Sequence, residues 1–160
     1  MSTKTLVLLK PDAVERGLVG SILSRFETKG LKIVAMELRT LNAAILERHY
    51  EEHKGKGFYP ELVAFMSRGP VVALVIEGPE DAWEVLRTMM GATNPKAAAP
   101  GTIRGYYGTM FTENLIHGSD SAAFGFVAPI IVRNTSHASS GPSTTSATTG
   151  PRDMKATSSG

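Results

Sequence analysis

The sequence predicts an α/β sandwich built on a four-stranded antiparallel sheet. Short apolar runs alternate along the chain with segments whose apolar residues recur at helical spacing. Gly, Pro and Asn stand at the junctions, where strands and helices usually end. The length of 160 residues suits one domain, and residues 1–120, which contain 28 of the 32 charged side chains (17 Lys and Arg, 15 Asp and Glu), carry this alternating pattern.

In the first half of the chain, the spacing of apolar residues predicts two strands and two helices. Residues 5–10 form a short apolar strand, and residues 18–29 have apolar positions at helical spacing that end at Gly30. Residues 31–40 alternate imperfectly, as a strand does. Asn42 can then cap a helix that runs to Tyr50.

The second half completes the sheet. Residues 60–67 fit a helix, residues 70–76 a central strand, and Pro79 the first turn of a helix that Gly91 ends. Residues 91–112 are expected to be a long loop, and residues 114–117 the last strand. Because all the helices can pack on one face of such a sheet, the predicted fold is a ferredoxin-like α/β sandwich.

The chain has two compositions. Residues 1–134 are assigned to the domain, with 122–134 atypical because this stretch is almost wholly apolar. In residues 135–160, 21 of 26 residues are Ser, Thr, Gly, Pro or Ala, which predicts a disordered tail.

Composition also excludes several classes of function. The chain has no cysteine, which rules out disulfides, thiolate metal sites and cysteine nucleophiles and fits a cytoplasmic protein. No stretch approaches the roughly 20 apolar residues of a membrane span. A net charge of +2 gives little support to nucleic-acid binding, so any positive potential is expected to be local and directed at a small anion.

His117 is the predicted nucleophile. It ends an apolar run directly before Gly118 and Ser119, where a turn brings a side chain out of the core and the following N–H and hydroxyl groups can meet an anion. With an ordinary pKa of about 6.5, the imidazole is largely neutral at pH 7 and able to attack phosphorus. Taken alone, a histidine at a strand end is more often structural.

A polyphosphate site is predicted from cations near these elements. Arg104 and Arg87 offer bidentate forks and Lys10 a point charge, while Thr93 and Asn114 add neutral hydrogen-bonding groups. The alternative for Arg87 is a helix-terminal cation favoured by the dipole.

Phe58 offers an apolar plate for a base, or alternatively a staple that holds a helix entry. No Walker A or GxGxxG sequence occurs, so side chains must hold the phosphates, and stacking without edge readout predicts poor base discrimination. His49 and His53 are expected to be solvated, since they lie on a charged helix.

Many short segments in one order resemble nucleoside diphosphate kinases from about residue 5 to residue 121. The matching segments include Leu9-Lys10-Pro11-Asp12, Arg16-Gly17-Leu18-Val19-Gly20, His49-Tyr50, Ser67-Arg68-Gly69-Pro70-Val71-Val72, Gly91-Ala92-Thr93-Asn94-Pro95, Pro100-Gly101-Thr102-Ile103-Arg104-Gly105 and Asn114-Leu115-Ile116-His117-Gly118-Ser119-Asp120-Ser121.

This resemblance implies a ping-pong transfer of γ-phosphate through His117, with Mg²⁺ held mainly by the nucleotide phosphates rather than by a protein metal site. It also implies that Phe58 stacks on the base and that Tyr50 orders the pocket, with Ser119 in support. Lys10 and Asn114 would reach ribose and phosphates, and Arg87, Thr93 and Arg104 would bind phosphates. By the same resemblance, the partners would be nucleoside triphosphates and diphosphates, and the chain would assemble as a hexamer or tetramer.

Two positions depart from the family. Tyr106 stands where the family usually has an acidic residue, and Ala128 where it has the glutamate that orients the catalytic imidazole. No Asp or Glu occurs from Ser121 to Arg152, and the abrupt change suggests a reading-frame change or a fusion. The alternative function is therefore a catalytically impaired nucleotide-binding or scaffold protein of the same fold.

Overall fold

The computed structural model describes residues 3–119. The atypical segment 122–134, its Ala128 and the predicted disordered tail 135–160 lie outside the described residues. No helix within the described part is long and apolar enough to cross a bilayer.

Four strands form one antiparallel sheet in the order β2-β3-β1-β4. Their bounds are β1 Thr3–Leu9, β2 Lys32–Thr40, β3 Pro70–Gly78 and β4 Ile116–Gly118. The helices are α1 Pro11–Glu15, α2 Val19–Thr28, α3 Ala43–His49, α4 Tyr59–Ser67, α5 Ala82–Met90 and α6 Ile103–Tyr107, with a short 3₁₀ turn at Glu51–His53. The ferredoxin-like α/β sandwich predicted from the sequence is confirmed.

The prediction that all helices share one face of the sheet is wrong. Val7 and Leu9 of β1 pack in one apolar core with α2 and α5, whereas Leu6 and Leu8 pack in a second core with α3 and α4. Both faces are covered because the central strands are apolar at successive positions, and successive side chains point to opposite faces.

Local signals predicted most boundaries to within two residues. The Asn42 side chain accepts a hydrogen bond from the Ile45 N–H, as expected of a helix cap. Pro79, however, does not begin a helix: α5 starts at Ala82, three residues later. The predicted loop 91–112 contains α6, whose Thr102 cap accepts from the Gly105 N–H, and α1 was not predicted at all.

Candidate active site

His117 reaches the α3–α4 side of the sheet because of its register. It lies opposite Leu8 in the antiparallel β1–β4 pair, and residues directly opposite each other project to the same face. Leu8 belongs to the core beneath α3 and α4. The imidazole is therefore directed towards the space beside those helices.

The residues before His117 form a γ-turn and not the strand predicted for 114–117. Leu115 has a φ of +73°, and the Ile116 N–H donates to the Asn114 carbonyl at 2.9 Å. A γ-turn of this hand is rare and strained. It shortens β4 to three residues, and it places the Asn114 side chain and His117 at one cavity.

That cavity has a volume of about 780 Å³, within the range of small-molecule sites. It collects every nucleophile, phosphate-binding and base-stacking residue predicted from the sequence, together with Tyr50. These are Lys10, Tyr50, Phe58, Arg87, Thr93, Arg104, Asn114 and His117. Ser119 is buried beside it without lining it, and its N–H donates to the Leu6 carbonyl at 3.1 Å.

Lys10 is held at the cavity wall by a short network. Its ammonium donates to Asn114 Oδ1 at 2.7 Å and to the Thr112 carbonyl at 3.3 Å, and Asn114 Nδ2 donates to the Thr93 carbonyl at 2.9 Å. Burial lowers the pKa of Lys10 to about 8, while Asp12 opposes that shift. A bound anion would favour its charged form.

The Arg104 guanidinium makes three hydrogen bonds to backbone carbonyls of the chain itself. Its Nε, Nη1 and Nη2 donate to the carbonyls of Asn114 (3.3 Å), Gly91 (2.9 Å) and Ile116 (2.6 Å). A guanidinium has five N–H donors, so two remain for a ligand. Burial lowers the pKa of Arg104 to about 10, with a smaller contribution from Arg87, and the group stays charged at neutral pH.

The imidazole of His117 is kept neutral. Burial lowers its pKa to about 4, and electrostatic interactions with His49, Lys10, Arg104 and Arg87 act in the same direction. The prediction that His49 is solvated is wrong: the residue is 3% exposed, and its ring centroid lies 6.4 Å from that of His117 in an edge-on arrangement. Burial of α3 against the sheet removes it from solvent.

The mouth of the cavity is aromatic. Phe58 is 51% exposed and belongs to neither core, which goes against the staple alternative. The His53 ring meets it edge-on, 5.5 Å between centroids. Deeper in, burial raises the pKa of Tyr50 to about 12, so its hydroxyl stays protonated.

Comparisons with known proteins agree on one family. The nucleoside diphosphate kinase family model matches residues 3–125. The chain belongs to the nucleoside diphosphate kinase family. It is 60% identical to the nucleoside diphosphate kinase of a Nocardioides species over 121 residues, which is 76% of this chain and 89% of that protein. It is 63% identical to that of Streptomyces avermitilis over 122 residues, 76% of this chain and 88% of the other.

A solved structure agrees as well. The chain resembles a halophilic nucleoside diphosphate kinase from Halobacterium salinarum in complex with CDP, with a TM-score of 0.76 and 46% identity, covering 81% of this chain and 87% of the other.

Several cavity residues of this kinase-family chain were not predicted. Phe111, 63% exposed, lines the mouth with Phe58, and its aromatic ring in a polar loop was a signal that could have been used. Arg68 also lines the cavity, where it donates to both carboxylate oxygens of Glu15 and to Glu113 at 2.8–2.9 Å. These partners lie 45 (Glu113) and 53 (Glu15) positions from Arg68 in the sequence, and no local pattern predicts contacts over such separations.

Proposed function

We propose that this chain is a nucleoside diphosphate kinase that transfers the γ-phosphate of a nucleoside triphosphate to a nucleoside diphosphate through a phosphohistidine at His117. An unprotonated ring nitrogen attacks the γ-phosphorus, the bond from phosphorus to the β,γ-bridging oxygen breaks, and the diphosphate leaves with that electron pair. A β-phosphate oxygen of the second nucleotide then attacks the phosphohistidine and regenerates the neutral imidazole.

The observation that carries this proposal is a neutral imidazole facing a cavity lined by Lys10, Arg87 and Arg104. These cations can neutralise phosphate charge where it develops, which is the main task in phosphoryl transfer. Thr93 and Asn114 would add hydrogen bonds, and Tyr50 and Ser119 would support the pocket. Phe58 would stack on the base at the open end.

Pulse–chase labelling tests the mechanism. The chain is incubated with γ-labelled ATP and Mg²⁺ and then chased with GDP. We expect acid-labile label that GDP removes as labelled GTP, and no label on His117→Gln. Label that persists in His117→Gln would refute the assigned nucleophile, and absence of label on the wild-type chain would refute the kinase mechanism.

A second function is favoured by one sequence observation, the lack of any Asp or Glu from Ser121 to Arg152. In it, the chain binds nucleotides but turns them over poorly. Loss of a group that orients the imidazole would reduce the rate by about 10²- to 10⁴-fold. Label that forms slowly on a chain that still binds ADP in calorimetry would favour this second function.

Nucleoside diphosphate kinases act with a divalent cation, and we infer that here it is Mg²⁺. Within residues 3–119 no cluster of three or more potential metal ligands exists, and Glu113 at the cavity is paired with Arg68. Mg²⁺ is commonly held by substrate phosphates and water, and the phosphates would lie in the cavity that Lys10, Arg87 and Arg104 line. When bound, the ion supplies charge neutralisation on the phosphates. EDTA should abolish labelling, and Mg²⁺ should restore it.

We also infer a homo-oligomer, either a hexamer or a tetramer, in the cytoplasm. The edge strand β2 exposes Val34, Met36 and Leu38, of which Met36 is 58% and Leu38 64% exposed. An uncovered apolar edge strand favours pairing with another copy. Light scattering should show that Met36→Lys with Leu38→Lys lowers the oligomer mass, whereas an unchanged mass would exclude this edge as the interface.

A further inference from the structure

Asp12 is a buried acid that does not line the phosphate pocket and has no role in the mechanism proposed above. It lies in the first turn of α1 and is 1% exposed. Its Oδ2 accepts the Leu115 N–H at 3.0 Å, and its Oδ1 is buried without a hydrogen-bond partner within residues 3–119. Burying a carboxylate is costly unless it is paired and hydrogen-bonded. Within residues 3–119, the hydrogen bond from another residue that the Asp12 carboxylate accepts comes from the turn before His117.

Leu115 is the one non-glycine residue with a positive φ among residues 3–119, so its backbone needs external bonds to hold it. Its φ of +73° lies in the region that favours glycine, and its side chain is fully buried. Both of its backbone polar groups bond to the N-terminal end of α1: its N–H donates to the Asp12 carboxylate, and its carbonyl accepts the N–H of the N-cap residue Lys10 at 2.8 Å. Strain of this kind persists only where the surroundings fix it.

The charge of Asp12 is also placed well for this role. Burial raises the pKa of Asp12, while neighbouring Lys10 and the Leu115 N–H favour its charged form. A charged acceptor makes a stronger hydrogen bond than a neutral one. The Asp12 carboxylate and the Lys10 ammonium both bond to this turn, the first at the Leu115 N–H and the second at the Asn114 side chain.

We propose that Asp12 is a positioning residue for phosphoryl transfer, whose carboxylate holds the strained turn at Leu115 and thereby sets the position of His117 two residues later. This role rests on the proposed kinase function. Small misplacement of a reacting group lowers the rate by on the order of 10²-fold without any loss of a contact to the ligand.

Three variants test the role in the full chain. Asp12→Ala should slow single-turnover phosphorylation by labelled ATP on the order of 10²-fold, and Asp12→Asn, whose amide oxygen can still accept, should recover part of that loss. Asp81→Ala is the matched control, because Asp81 is exposed and its side chain makes no cap hydrogen bond. Titration with ADP should change much less than the phosphorylation rate.

A backbone readout separates positioning from general damage. Leu115→Ala and Leu115→Gly both remove the side chain, but glycine adopts positive φ without strain. We expect Asp12→Ala to cost a much smaller factor in the Leu115→Gly background than in the Leu115→Ala background. Equal factors in both backgrounds, or phosphorylation by Asp12→Ala within about twofold of wild type, would overturn the proposal.

Amide hydrogen exchange at Leu115 makes the test independent of chemistry. Exchange should accelerate in Asp12→Ala relative to Asp81→Ala, and unchanged exchange would overturn the anchor even if the rate fell. If the wild-type chain takes up no label, the kinase function fails, whereas the exchange comparison still decides the role of Asp12. Should Asp12→Ala not fold, Asp12→Asn combined with the two Leu115 variants gives the same comparison.

Discussion

Replacing Arg104 by lysine should destabilise the fold even in the absence of nucleotide. The guanidinium donates to three carbonyls, those of Gly91, Asn114 and Ile116, and two of these hydrogen bonds are buried. A lysine ammonium has one nitrogen and can satisfy about one of the three. Hydrogen bonds to charged groups contribute about 1.5–3 kcal/mol each, and the 3.3 Å bond belongs at the weak end. We therefore expect the free energy of unfolding to fall by about 3 kcal/mol.

Urea unfolding monitored by circular dichroism measures this change. Arg25→Lys is the matched control, since Arg25 donates to one carbonyl, that of Gly101, at an exposed site. We expect the control to lose about 1 kcal/mol or less. If the two variants lose equal free energy, Arg104 does not fix the backbone around His117, and its contribution is confined to the ligand.

Three further predictions concern other parts of the site and fold. The pKa of His117 is about 4 in the fold and 6.5 ordinarily, so the unfolded chain takes up a proton first as pH falls. The free energy of unfolding should therefore drop by about 3 kcal/mol between pH 6.5 and pH 4. Urea unfolding at a series of pH values should show that this free energy depends less on pH in His117→Gln than in the wild-type chain. Phe58→Ala should weaken purine and pyrimidine diphosphates alike, by about 1–3 kcal/mol in calorimetry, and a purine-only loss would contradict stacking. Gly105→Ala should destabilise the fold by about 1–3 kcal/mol, because a Cβ at this position meets the Ala99 carbonyl oxygen. Gly20→Ala, at an open position of α2, should stabilise the fold by about 0.5–1 kcal/mol. A higher melting temperature for Gly105→Ala than for Gly20→Ala would refute this packing.

Much of the fold was predictable because its signals are local. A few neighbouring residues are enough to predict the helix cap at Asn42, the turn after α2 at Gly30 and the apolar strand β3. The residues of the cavity were predictable by type, because phosphate chemistry requires cations and a nucleophile. Their convergence depends on the register that sets His117 opposite Leu8, which no single segment specifies.

The features that sequence reasoning missed depend on distant contacts. A leucine with positive φ contradicts local preference, and Leu115 adopts it because bonds from Lys10 and Asp12, more than 100 residues away, hold its backbone. The charged residues around His49 predict a solvated helix, but α3 packs on the sheet and buries this histidine. α6 stands in a segment rich in Gly and Pro, where the Thr102 cap was a weak signal.

The position and the orientation of the imidazole have separate origins in this chain. The backbone before His117 is fixed by Lys10, Asp12 and Arg104, all of which precede it. The carboxylate that would orient the ring is expected after it by resemblance, where the sequence from Ser121 to Arg152 has no acid. The cavity residues proposed to contact the phosphates and the base also precede His117. An orientation defect would therefore lower the rate of phosphoryl transfer while nucleotide affinity stays intact, whereas loss of the turn would affect the position of both Asn114 and His117.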